Sequence, residues 1–167
     1  MQKLIMVKKI VKILFSIMLI ILSNNLYSAE IIIQGNSRVI YDDFIFTDNS
    51  KYIIINQEGQ WTDNIGNYGA QECKGLIKRN DNNIIDFLDI ICQLTNQNNI
   101  VTWRKFERTG SEIERGVGIS TIVDSTSKYR KELIGTKCKY AVNRTKDMVF
   151  SKSICKVSDA LYKKLTQ

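Results

Sequence analysis

From Ser37 onward the chain alternates apolar runs with polar punctuation that recurs every ten to sixteen residues. That is the spacing of antiparallel strands joined by short turns. The pattern predicts eight strands, at 37–46, 51–61, 73–79, 84–94, 100–108, 116–123, 135–142 and 148–156. The seventh alternates most cleanly: Thr136, Cys138, Tyr140 and Val142 share one face and Lys137 and Lys139 take the other. The fourth is apolar on both faces across 84–91, as a strand covered on both sides or facing a partner would be. Its Ile and Phe content between Asn-rich turns favours strand over helix. Near the end, Ser158 is placed to cap a short helix in which Val157, Leu161 and Leu165 recur at four-residue intervals. Such a helix would cover a barrel end or a sheet edge. The Ile31-Ile32-Ile33 segment reads as an edge strand or an exposed leader.

The N-terminus has a different character. Lys3, Lys8, Lys9 and Lys12 precede an apolar run at 13–22 broken only by Ser16, and no acidic residue occurs before Glu30. A polar stretch follows and ends in Tyr27-Ser28-Ala29. A basic region, a short apolar core and a small residue at the cut predict a cleavable secretory signal over residues 1–29. The apolar core is too short for the roughly 20 residues that a membrane-spanning helix needs. Extending it back over Leu4 to Val7 would bury three lysines. With no cysteine at the cut, lipid anchoring is not expected, and membrane contact is confined to the leader before cleavage. Residues 30–167 then form a single periplasmic or secreted domain, long enough for one core.

Cleavage changes the charge balance. The chain has 24 Lys and Arg against 17 Asp and Glu, a net of +7, but four of those lysines lie in the leader and the remainder carries only +3. Basic surfaces point to nucleic acid when they are large and clustered, so no nucleic-acid partner is expected. Trp103-Arg104-Lys105-Phe106 interleaves bases and aromatics as single-strand binders do. A strand with its basic residues outside and an aromatic inside gives the same string and is the preferred reading.

All four cysteines, Cys73, Cys92, Cys138 and Cys155, lie after the leader. An even count in an exported chain predicts disulfides. Four cysteines allow three connectivities, and hairpin geometry favours one. Cys73 and Cys92 are centred on Asn80-Asp81-Asn82-Asn83, and Cys138 and Cys155 on the polar stretch from Asn143 to Asp147. Each pair would face across its own hairpin, at a Cα separation within disulfide reach. No histidine and no C-x-x-C spacing is present, so neither a metal site nor a redox pair is expected.

The lack of histidine also removes the commonest general base and any Ser-His-Asp or Cys-His arrangement. Acid pairs occur at Asp42/Asp43, Asp86/Asp89 and Glu112/Glu114, and solvated acids are the better reading of each. Asp63-Asn64-Ile65-Gly66-Asn67 lacks the ligand spacing of a calcium loop and reads as a turn. No catalytic residue and no cofactor is assigned. Trp61, Tyr68 and Trp103 are the candidates for lining a cavity mouth, with core packing the alternative fate of large aromatics.

The segment from Gly116-Val117-Gly118 through Ile122-Val123-Asp124-Ser125-Thr126-Ser127-Lys128-Tyr129 to Gly135 resembles a recurring barrel pattern. In that pattern a strand is followed by Gly-Thr-Gly-Lys-Tyr or Phe and, a few residues on, a further glycine. It resembles allene-oxide-cyclase-like and dirigent-like barrels, and uncharacterised small exported bacterial proteins similar to them. Trp61-Thr62-Asp63 and Gly66-Asn67-Tyr68-Gly69 extend the resemblance to the latter. Ser125 and Ser127 stand where the pattern has glycines, so the turn here must differ. The resemblance implies that the antiparallel eight-stranded meander closes into a barrel with a ligand cavity. It does not imply an activity.

The expected protein is therefore all-β, exported, stapled by two disulfides and non-catalytic, binding a small ligand or an envelope component. The competing expectations are a cyclase- or isomerase-type enzyme working in a barrel cavity, and an envelope structural or interaction protein using a strand edge.

Overall fold

A computed structural model describes residues 28–167. The expected leader lies outside the described residues except for Ser28 and Ala29. Eight antiparallel strands in sequence order form a closed barrel: β1 (Ser28–Ile45), β2 (Lys51–Asp63), β3 (Tyr68–Arg79), β4 (Ile85–Asn96), β5 (Val101–Glu107), β6 (Arg115–Ser125), β7 (Lys137–Thr145) and β8 (Met148–Ser158). The chain then ends in one short helix, α1 (Asp159–Leu165).

The tight turns come from the Asn-rich punctuation. Asn80 Oδ1 accepts from the Asn82 and Ile84 amides, both at 3.0 Å, and Asn96 Oδ1 accepts likewise from Asn98 and Ile100. Each of these turns closes on an asparagine in the left-handed region, Asn83 at φ 64° and Asn99 at φ 58°. Asparagine tolerates that region better than most side chains. The 125–137 connection does differ from the glycine pattern. Neither Ser125 nor Ser127 has positive φ. Instead Ser125 Oγ donates to the Val101 carbonyl at 2.9 Å and accepts from the Ser127 amide, and a 3₁₀ turn follows at Arg130–Leu133.

The Ile31–Ile33 segment is neither an edge nor a leader. β1 pairs with β8 from Ser28 opposite Ser158 to Arg38 opposite Met148, and this pairing closes the barrel. Ile31 is buried opposite Cys155. A cut after Ala29 would remove the first two pairs of this seam. Val39 still donates its amide to the Asp147 carbonyl, and beyond it β1 runs on to Ile45 paired only with β2, so the β1–β2 hairpin overhangs the barrel.

Two bulges explain the apolar positions that fit no simple alternation. The β3–β4 register shifts at Lys78/Arg79, leaving Asp86 as an extra residue. Ile85 and Leu88 both point inward and Phe87 points out, which is why β4 reads as apolar on two faces. A second shift, between Trp103 and Arg104 in the β5–β6 register, does the same to Val123.

Both cysteine pairs sit directly opposite each other in register and are bonded, Cys73 to Cys92 with Cα atoms 4.0 Å apart and Cys138 to Cys155 at 4.2 Å. The two disulfides indicate an oxidising, extracellular-type environment. No described helix is long and apolar enough to cross a membrane.

One end of the barrel is plugged. Ser158 Oγ accepts from the Leu161 amide at the start of α1. Leu161 and Leu165 pack against a buried cluster of Ile31, Ile122, Leu133 and the Cys138–Cys155 bridge. A second, larger cluster built on Val39, Ile53, Ile77, Leu88 and Ile90 fills the wall of β1–β4 towards the other end.

Candidate functional site

The Trp103–Phe106 string does not place its basic residues outside. Side chains alternate across a strand, so adjacent Arg104 and Lys105 cannot share a face. Thr102 and Arg104 are buried and Phe106 packs against the core, whereas Lys105 reaches the outer ion pairs with Asp89 and Glu107. Arg108 continues the inward series just past the end of β5. Two guanidinium groups therefore enter the barrel interior.

Arg104 is 2 % exposed. Its Nη2 donates to Ser120 Oγ at 2.6 Å, its guanidinium lies 4.9 Å from the Phe106 ring centre, and its Nε has no partner. Burial alone brings its pKa down to about 10. Arg108 is 6 % exposed. Its Nη2 donates to the Ile113 carbonyl at 3.3 Å, while Nε and Nη1 are both unpartnered. Burial lowers its pKa too, partly offset by Tyr140 and Glu114. Neither guanidinium forms an ion pair among the described residues. Buried charges are ordinarily paired, so two such cations in one interior call for an explanation.

Two glycines of β6 make room for this arrangement. A Cβ at Gly116 would lie 2.6 Å from Arg108 Nη1 and 2.9 Å from Ser111 Oγ, which is itself buried without a partner. A Cβ at Gly118 would strike the Tyr140 ring at 2.7 Å. Tyr140 in turn meets Phe106 edge-on, with ring centres 5.1 Å apart. Its phenol is pushed above the ordinary value by burial, with Arg108 pulling the other way.

Arg108, Tyr140 and Phe106 form one side of a cavity whose opposite wall is the apolar cluster of Val39, Ile53 and Ile77. Gln57, Gln71 and Ser151 add polar groups, and the Cys73–Cys92 bridge lines it as well. The cavity leaves about 80 Å³ open to the centres of water molecules. It shares Ile53, Ile113 and Arg144 with a polar cleft at the unplugged end, where Lys51, Arg79, Glu114 and Lys146 gather.

Of the three aromatics expected at a cavity mouth, Trp61 is inside but at the plugged end. It is 2 % exposed, its Nε1 donates to the Thr95 carbonyl at 3.3 Å, and it borders a void of only ≈ 20 Å³ together with Arg104 and Leu133. Tyr68 is 61 % exposed and Trp103 takes the outward phase of β5. Neither lines the cavity. Even-odd alternation separates Trp103 from Arg104, and Tyr68 sits at the first position of β3, beyond the interior. The residues that do face the cavity, Arg108 and Tyr140, were marked in the sequence by phase alone, Tyr140 beside Cys138 and Val142 and Arg108 beyond Thr102, Arg104 and Phe106.

The acid pairs are surface features. Asp86 and Asp89 pair with Lys78 and Lys105, and Glu112 with Arg115. Asp63 is a turn residue, its Oδ1 accepting from the Ile65 and Asn67 amides. Compared with known proteins, the chain matches no family model, no curated protein and no solved structure.

Proposed function

We propose that this is an exported, non-catalytic binding protein that carries a small ligand inside its barrel. The observation behind this reading is the cavity itself, which sets an apolar wall against Arg108, a buried cation with two of its three nitrogens unpartnered. Ligand sites are of this kind, mostly apolar with a few placed polar groups. The basic leader pattern and the two disulfides support export to the periplasm or beyond. The motif resemblance from Gly116 to Gly135 is consistent with a cavity-bearing barrel. The cavity lining contains no Asp or Glu among the described residues. Tyr140, with its raised pKa, is a hydrogen-bond donor rather than a base near neutrality. Binding is therefore favoured over the cyclase or isomerase alternative.

Native mass spectrometry of the oxidised protein recovered from the cells that make it tests the reading. A small-molecule adduct is expected in the wild type and should be absent from Val39→Phe, which fills the cavity. An adduct that survives the filling substitution would show that the ligand sits elsewhere and defeat the proposal.

A second reading, an interaction protein of the cell envelope, draws on the overhanging hairpin. Ile40, Phe44 and Ile45 are exposed there, on a strand paired on one side only. Unpaired apolar edges recruit other strands. Envelope pull-down with wild type and with Ile40→Lys/Phe44→Lys separates this from the first reading, since only an edge-bound partner is lost in the variant.

A further inference from the structure

We infer that the cavity ligand is a short apolar monocarboxylate, its carboxylate held by Arg108 beside Tyr140 and its chain laid against Val39, Ile53 and Ile77. This rests on the binding reading above and gives the ligand its chemistry.

Charge is the first consideration. Arg108 is nine-tenths buried with Nε and Nη1 both free, and no carboxylate pairs with it among the described residues. Residues 1–27 contain no Asp or Glu that could supply one. A planar guanidinium presents its donors in a fork that fits a carboxylate. The second consideration is convergence. Arg108 and Tyr140 line the cavity together, across from the aliphatic side chains of Val39, Ile53 and Ile77, so one ligand can meet the cation at one end and the apolar wall at the other. A neutral ligand would leave Nε and Nη1 of the cation without an anionic partner in contact.

Size and polarity narrow the class. A water needs roughly 10–15 Å³ of such centre-accessible space. The ≈ 80 Å³ present therefore suits a ligand of about five to eight non-hydrogen atoms. Inorganic anions fit the donors but leave the aliphatic wall unused, whereas a four- to six-carbon acid satisfies both. Long-chain lipids exceed the space.

The test uses the full-length oxidised chain, titrated with hexanoate, hexanol and inorganic phosphate by calorimetry. The arginine Nε–H resonances are followed by NMR in parallel. Hexanoate is expected to bind at least about 10-fold more tightly than hexanol and to shift one buried Nε–H signal. Arg108→Met should weaken hexanoate by about 30-fold or more and leave hexanol unchanged. Equal binding of hexanol and hexanoate would overturn the carboxylate assignment while leaving the cavity reading intact. Phosphate shifting the same signal as strongly as hexanoate would overturn the apolar part. No binding by either six-carbon probe would overturn the inference, and the binding reading would then rest on the mass-spectrometry result alone. If Arg108→Met does not fold, the wild-type Nε–H shift and the hexanoate-to-hexanol ratio still decide the matter.

Discussion

Arg104 Nη2 donates to Ser120 Oγ at 2.6 Å between β5 and β6, and this hydroxyl is the only hydrogen-bond partner that the guanidinium finds among the described residues. One neutral hydrogen bond and a ring contact do not replace the hydration of a buried cation. Arg104 therefore opposes folding. Replacing it with Met, with Ser120→Ala so that no hydroxyl is orphaned, should stabilise the protein by about 1–3 kcal/mol. Urea denaturation should show a higher midpoint at unchanged slope. A lower midpoint would mean that the interior compensates the charge in a way the side-chain geometry does not reveal.

Gly118 is a position where space decides. A Cβ there meets the Glu107 carbonyl oxygen at 2.6 Å and the Tyr140 ring at 2.7 Å. The first contact is backbone and the second a packed aromatic, so neither yields easily. Gly118→Ala should destabilise by about 1–3 kcal/mol and broaden the Phe106 and Tyr140 ring signals in NMR spectra. An unperturbed Tyr140 signal would contradict the packing described.

The disulfides should differ in what their loss exposes. Each closes a short loop, 19 residues for Cys73–Cys92 and 17 for Cys138–Cys155, and stabilises by about 3 kcal/mol in the chain-entropy picture. Cys155 also sits opposite Ile31 across the β1–β8 seam. The double Ala variant at 138 and 155 should lose amide protection along that seam first. The variant at 73 and 92 should loosen the cavity wall instead. Hydrogen exchange read residue by residue distinguishes the two patterns.

Alkaline titration reports on the interior. Burial raises the Tyr140 pKa above 10.0, so in the folded state the phenol keeps a proton that the unfolded chain has already released. Its contribution is complete below pH 10 and is lost as pH rises through the folded value. Arg104 works in the opposite sense. With burial lowering its folded pKa to about 10, below its ordinary value, its penalty is relieved as pH climbs past that point. Absorbance at 295 nm should show a late-ionising tyrosine component, and Tyr140→Phe should abolish it. Loss of an early component instead would place Tyr140 in solvent.

Much of the scaffold could be read from residue order, for an identifiable reason. In a hairpin the turn centre fixes which residues oppose, so Cys73 met Cys92 and Cys138 met Cys155 as their spacing required. Ser158 capping α1 followed from equally local chemistry. The cavity was less legible. Its key residue is an arginine, and a charged side chain is expected outside unless something pins its phase. The Asp86 and Val123 bulges reverse the phase within β4 and β6, so inward positions cannot be extrapolated along those two strands. Trp103 and Tyr68 were drawn to the cavity by size, a property that says nothing about which face of a strand they occupy.

The seam between β1 and β8 has a kinetic meaning. Every other ladder joins consecutive strands, so seven of the eight pairings can zip locally as the chain emerges. The eighth joins residues 28–38 to 148–158 and must wait for the last strand to be present. An incomplete chain is thus an open, curled sheet with two sticky edges, and closure is the step that removes both. The same step encloses the two buried arginines, so the charge penalty falls on the end of folding. A ligand that neutralises Arg108 would then act as a latch, slowing reopening of the seam more than it speeds closure.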